Sequence, residues 1–278
     1  MRSAEGALIY WVPACAGMTC GTLKNMQGLL LVDKPAGWTS FDVVNYVRKL
    51  VAQAEGKKPK NVKVGHTGTL DPFATGLLIL LVGKEYTRRA SEFSKLDKTY
   101  EVTMRLGETS TTGDPEGTIT PVNTVISNDS EKSRQNPGDV PRSLASARDD
   151  KPRLAEIKAA AQQFIGEIEQ IPPAFSAIKI NGQRAYKLAR AGQEVILEPR
   201  KVRINRLQIT DYNYPEVTFV ADVSSGTYIR TLVEDLAKNL NTGAYTTALR
   251  RVNVGQFSVE EGCLTEQLTA SGLESRIN

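Results

Sequence analysis

A chain of 278 residues, 40% hydrophobic and 24% charged, carries enough apolar side chains for one large domain or two small ones. It has no apolar run of the roughly 18 residues that a membrane helix needs, which excludes a helical span. The formal charge of +4 permits a polyanionic partner without requiring one, and three cysteines with a single histidine give no zinc or redox spacing, so a reduced, cytoplasmic protein without a metal is expected.

In chain order, residues 1–25 come first, with an apolar patch over Ala7–Ala16 behind one arginine. Tyr10, Trp11 and Pro13 interrupt the patch and its basic flank is minimal, so it reads as an extension upstream of the natural start and not as a secretory signal. Met26 is the expected opening of the fold. Gly28–Val32 has a buried-strand pattern ended by proline. Ser40 is expected to cap a helix whose Val43, Val44, Val47, Leu50 and Val51 share a face. The basic run Lys57–Lys63 forms a loop into GHTGTLDPFATGLL, Gly65–Leu78. Leu77–Val82 is continuously apolar, as in a strand buried on both faces. Lys98–Gly107 alternates, with Tyr100, Val102, Met104 and Leu106 on one face.

Residues 124–153 hold three prolines, many charges and no aromatic residue. Such a segment buries too little apolar surface to offset its chain entropy, and a disordered insertion within the domain is expected. Beyond it, Leu154, Ile157, Ala161, Phe164, Ile165 and Ile168 predict an amphipathic helix. Lys201–Thr210 and Glu216–Val223 read as strands, and Thr231–Leu240 as a helix with Leu232, Leu236 and Leu240 four apart. Strands and helices mix without regular βα alternation, so the class is α+β. No GxGxxG or GxxxxGK[ST] occurs, and no nucleotide cofactor is signalled.

Three separated segments carry candidate chemistry. Asp71 precedes Pro72, which holds it extended at a turn among glycines that let the backbone approach a ligand. A carboxylate there serves as nucleophile, general base or electrostatic stabiliser, and an Asx-turn cap is the competing reading. Arg230 stands at a predicted helix start, where the macrodipole favours anions, so a carboxylate or phosphate partner is expected unless the residue is simply solvated. Tyr100 lies on the apolar face of its strand, a position that serves a core as readily as a site.

Together and in this order the segments resemble the TruB family of tRNA pseudouridine synthases. GLLLVDKPAGWTSFDVV is similar to its first motif, GHTGTLDPFATGLL to its signature, KTYEVTMRLG to its tyrosine strand, SSGTYIRTLVEDLA to its arginine segment, and TALRRVNVGQF to its closing motif. The resemblance implies a pseudouridine synthase fold, a mixed and largely antiparallel sheet flanked by helices, over a catalytic domain at 26–265 with a short tail at 266–278. It implies Asp71 as the catalytic aspartate in isomerising uridine 55 of the tRNA T-loop, either attacking the ribose or taking a ribose proton. Bond order is traded within one nucleotide, so no cofactor is implied.

The same resemblance implies that Arg230 pairs with Asp71 and holds it ionised. Tyr100 would stack on the flipped uracil, Tyr228 and Leu249 would line its pocket, and His66 would hold the opened loop. Asp114 would lie near the cleft and Arg88 would contact phosphate. Residues 171–195 resemble an RNA-gripping thumb, in which Lys179, Arg184, Lys187 and Arg190 interleave with Phe175 and Tyr186. Bacterial members often carry a C-terminal RNA-binding domain, and with only a short stretch after the closing motif here, T-arm recognition is expected to rest on the catalytic domain and thumb, without a protein partner. The competing function is an RNA folding helper that opens the T-arm without chemistry. A guide-RNA-dependent relative is the third reading.

Overall fold

The computed structural model describes residues 25–122, 151–180 and 182–277. Apart from Asn25 and residues 151–153, the expectations for the N-terminal extension and the polar insertion lie outside the described residues.

The first elements are β1 (Gly28–Lys34), α1 (Ser40–Ala54), β2 (Val64–His66), β3 (Thr75–Val82), α2 (Lys84–Arg88), α3 (Ala90–Ser94) and β4 (Lys98–Leu106). Next come β5 (Glu108–Ser110), β6 (Ile119–Pro121), α4 (Leu154–Gln162), β7 (Gly166–Gln170), β8 (Lys179–Ile180), β9 (Gln183–Arg184) and α5 (Ala185–Arg190). The chain closes with β10 (Arg200–Asn213), β11 (Glu216–Val223), α6 (Ile229–Asn239), β12 (Ala244–Val254), β13 (Phe257–Ser258) and β14 (Cys263–Leu264).

The chain divides into two compact units: the residues up to Lys98 with those from Arg250 onward, and Thr99–Leu249. In the first, the strand order is β14-β1-β3-β12. β1 runs antiparallel to β3 from Gly28↔Val82 to Lys34↔Gly76, while β3 meets β12 in parallel at Arg250↔Thr75. Because both faces of β1 and β3 are covered, these strands are apolar at nearly every position. Leu30, Val32, Leu78 and Leu80 pack with Val43, Val44 and Val47 of α1. The opposite face, Leu31, Leu77, Ile79 and Leu81, packs with Tyr86, Phe93 and Phe257.

In the second unit the order is β12-β4-β11-β10-β7, with β5–β6 and β8–β9 as separate hairpins. Tyr100, Val102, Met104 and Leu106 are buried on one face of β4, as its alternation predicts. Val217, Phe219, Ala221 and Val223 do the same on β11, and α6 buries Ile229, Leu232, Val233 and Leu236. Among the described residues no helix is long and apolar enough to cross a membrane.

Two local expectations are corrected. The helix predicted through Ile168 stops at Gln162, and Ile168 pairs with Val202 in β7–β10. Gly166 takes a φ of 116°, a backbone state open to glycine that ends one element and starts the next. The cap of α1 is Thr39 and not Ser40. Its hydroxyl accepts from the Asp42 N–H at 3.1 Å while the Asp42 carboxylate accepts from the Thr39 N–H at 2.9 Å. This reciprocal pair sets the helix start one residue early and releases Ser40 for another task.

Candidate active site

The turn that carries Asp71 is held from both sides within the first unit. Ser40 clamps the preceding residue: its Oγ accepts from the Leu70 N–H at 2.8 Å and faces the Leu70 carbonyl at 3.1 Å. The Pro72 carbonyl, just after Asp71, accepts from the Gly37 N–H at 2.8 Å and from Lys34 Nζ at 3.2 Å. Lys34 is fully buried, and its ammonium also donates to the carbonyls of Pro35 (2.8 Å) and Trp38 (2.6 Å). A buried ammonium is tolerable only when its protons are taken up in this way. The Ala74 N–H closes the turn on the Asp71 carbonyl at 3.1 Å.

Arg251, 2% exposed, completes the frame. Its Nε donates to the Leu77 carbonyl at 2.7 Å and its Nη2 to the Gly68 carbonyl at 3.2 Å, so one guanidinium ties the two arms of the signature loop together. Gly76, at φ 102°, lets β3 lie against this residue: a Cβ there would stand 2.3 Å from the Arg251 carbonyl oxygen. Arg250 forks onto both oxygens of Asp33 at 3.1 and 2.7 Å, fastening β12 to the end of β1. Within this frame Asp71 and His66 are half-buried, and His66 ends β2 opposite Leu80. Arg88 is exposed in the last turn of α2.

In the second unit Arg230 is the hub. It occupies the first turn of α6, is 5% exposed, and pairs through Nη1 with Asp114 Oδ2 at 3.2 Å. Nη1 also donates to the Thr112 carbonyl at 2.7 Å and Nη2 to the Phe175 carbonyl at 2.9 Å. The misfit of a cation at a helix start is thus met by a carboxylate. Asp114, 4% exposed, accepts further from the Glu116 N–H at 3.1 Å and the Thr112 hydroxyl. Gly113, at φ 72°, sits in a backbone state that favours glycine, and a Cβ there would press on Arg230 Cβ at 3.3 Å. Burial pushes the Glu234 carboxyl up from its ordinary value, against the opposing pull of Lys238.

Tyr228 is the N-cap of α6 and makes no side-chain cap bond, but its backbone is gripped elsewhere. Gln170, 1% exposed, accepts from the Tyr228 N–H at 2.8 Å and donates to its carbonyl at 3.0 Å. Tyr100 and Leu249 are buried. Lys179 and Arg184 are cross-strand partners in β8–β9, both exposed. Like charges in that register repel. Lys187 and Arg190 are exposed on α5, with the Arg190 guanidinium 5.8 Å from the Tyr186 ring.

Sequence reasoning missed Lys34, Gln170 and Arg251, and gave Ser40 another role. The first had a signal: alternation along β1 puts Lys34 on the same face as the buried Leu30 and Val32.

Residues 56–136 and 133–229 match the family profile described as TruB family pseudouridylate synthase (N terminal domain). In fold, the chain is similar to a chain in the crystal structure of a Cbf5-Nop10-Gar1 complex, with a TM-score of 0.58 and 25% identity, covering 90% of this chain and 57% of that one. Fold and matched region place the chain in the class of pseudouridine synthases. Proteins named tRNA pseudouridine synthase B are close in sequence: that of Burkholderia mallei is 39% identical over 253 residues, 91% of this chain and 72% of its own length. That of Chlamydia pneumoniae is 38% identical over 84% of this chain and 86% of its own. The chain belongs to the TruB family.

Proposed function

We propose that the protein converts uridine to pseudouridine at position 55 in the tRNA T-loop, with Asp71 as the catalytic carboxylate. The observation that carries this reading is the frame around Asp71. Lys34, Gly37 and Ser40 fix the backbone on both sides of a half-buried carboxylate, and Arg251 closes the loop behind it. Rigid placement of one reacting group is what a reaction without a cofactor requires, because the enzyme contributes position and charge and little else. An Asx-turn cap needs no such frame.

The net reaction breaks the bond from ribose C1′ to uracil N1 and makes one from C1′ to C5. The proton on C5 leaves to solvent and N1 gains one, so the formula is unchanged and no electron carrier takes part. Reaching the base requires flipping it from the loop at a cost of about a few kcal/mol. The roles of Arg230, Tyr100, Tyr228, Leu249 and His66 toward the uridine rest on the family resemblance. So do phosphate contacts at Arg88 and the thumb cations, action in the cytoplasm, and turnover without a protein partner.

The test is tritium release from C5-labelled uridine in a T-arm transcript. Wild type should release tritium, and Asp71→Asn should lose at least about 100-fold in rate while still binding RNA. Binding by both proteins with release by neither would leave an RNA folding helper instead.

A further inference from the structure

Outside the Asp71 frame, the first unit holds a pocket of about 290 Å³ whose charged lining residues, Arg48, Lys60 and Lys63, are all cations. Pro59, Val62, Val64, Gly65 and Thr87 complete its wall. Lys60 and Lys63 are exposed, and both belong to the basic loop that leads into the signature motif. Arg48 is held in place before any ligand arrives. Its Nη1 donates to Asn45 Oδ1 at 2.7 Å, its Nη2 to the Val64 carbonyl at 3.3 Å, and its guanidinium lies 5.9 Å from the centre of the Phe41 ring. These bonds leave part of the planar fork for an incoming oxygen.

Phe41 itself is unusual. It is 59% exposed at the start of α1, next to the Ser40 that clamps Leu70, and the Arg48 cation lies at its ring. A ring against a fixed guanidinium that itself lines a cationic pocket is the combination that single-stranded nucleic acid uses: bases stack on the ring and phosphates meet the cations. The pocket wall ends at Gly65, immediately before His66, so the surface joins the aspartate loop along the chain.

We propose that the Arg48–Lys60–Lys63 pocket is a phosphodiester-binding subsite for the substrate RNA, separate from the modified nucleotide, with Phe41 as the stacking platform for a neighbouring unpaired base. This rests on the RNA reading above. The subsite anchors the strand beside the Asp71 loop, so that flipping the uridine does not release the RNA as a whole.

The experiment measures T-arm RNA affinity by fluorescence anisotropy over a range of salt, for wild type, Lys60→Ala/Lys63→Ala, Phe41→Ala, Phe41→Trp and a surface control, Lys158→Ala on α4. Removing two phosphate contacts should flatten the slope of log K against log salt by about 1.4–1.8 and weaken binding about tenfold or more, while Lys158→Ala changes the slope by well under one. Phe41→Ala should weaken binding by roughly tenfold and Phe41→Trp should restore it. A double lysine variant with wild-type affinity and slope overturns the subsite. Loss of inorganic phosphate binding with RNA affinity untouched also overturns it, since the pocket then serves a free anion. Tritium release by wild type on the same RNA separates the two readings. Release with unchanged lysine variants sinks the subsite alone, whereas absent release with weakened variants sinks the isomerase and leaves the subsite.

Discussion

The Asp71 loop and the Arg230 hub both depend on buried cations, but they use them differently. In the first unit, Lys34 and Arg251 direct their charge onto backbone carbonyls at Pro72, Trp38, Gly68 and Leu77, fixing the path of the chain. In the second, Arg230 meets a carboxylate, Asp114, and fixes two side chains against each other. A carbonyl is a dipole and a carboxylate a full charge, so the two arrangements should fail differently. Losing the cation from a carbonyl cage leaves polar groups unpaired; losing it from the hub leaves a buried anion.

The largest effect is therefore expected at the hub. Arg230→Met should destabilise the protein by about 3–5 kcal/mol in urea titrations, because Asp114 is left buried and uncompensated. Adding Asp114→Asn should return a good part of that loss. Equal destabilisation of the single and double variants would mean that the Thr112 and Phe175 carbonyls, and not the ion pair, account for the cost.

Lys34→Met comes next, at about 1–3 kcal/mol for carbonyls left without a donor. Turnover should fall further than stability does, since the lost bond to the Pro72 carbonyl loosens the residue next to Asp71. Wild-type turnover by a folded Lys34→Met protein would separate the rigidity of the loop from its chemistry.

Neighbouring hydroxyls sharpen the point. Thr39→Ala removes a helix cap and should cost about 1 kcal/mol with little change in turnover. Ser40→Ala removes the clamp on Leu70 and should cost a similar amount while lowering turnover. Turnover that responds equally to both substitutions would show that helix stability alone governs the loop.

These residues also mark where the sequence was legible. Strands with a strong pattern, such as Leu77–Val82 and the alternating Tyr100–Leu106, appear where period and apolarity place them, because burial on one or two faces dictates the residue type. Asp71 stands out through its proline and its glycines, and Arg230 through its poor fit to the helix dipole. Ser40 could not be assigned correctly from local signals, since the choice between two adjacent hydroxyls turns on whether Asp42 reaches back to Thr39. Gln170 and Arg251 were illegible for a different reason. Their partners lie 58 and 174 residues away in the chain, and a hydrogen bond to a backbone carbonyl leaves no trace in the identity of the residue that supplies it.

A pH dependence tests the carbonyl cage at a third position. Lys98 is 8% exposed, donates to the carbonyls of Ser94 (2.7 Å) and Leu96, and makes up the same kind of cage as Lys34. Burial pushes its amine down to about 8, the Arg251 charge adds to the shift, and Asp97 opposes it. With the folded value below the ordinary 10.5, the unfolded chain holds more protons between those limits, so stability contributed at this position should rise with pH from about 8 to about 10.5. Wild type should therefore gain stability relative to Lys98→Met across that window, read as the difference between their urea midpoints. A constant difference would mean that carbonyl contacts offset the desolvation of an ammonium as fully as a carboxylate does, and the contrast between the two cation sites would lose its physical basis.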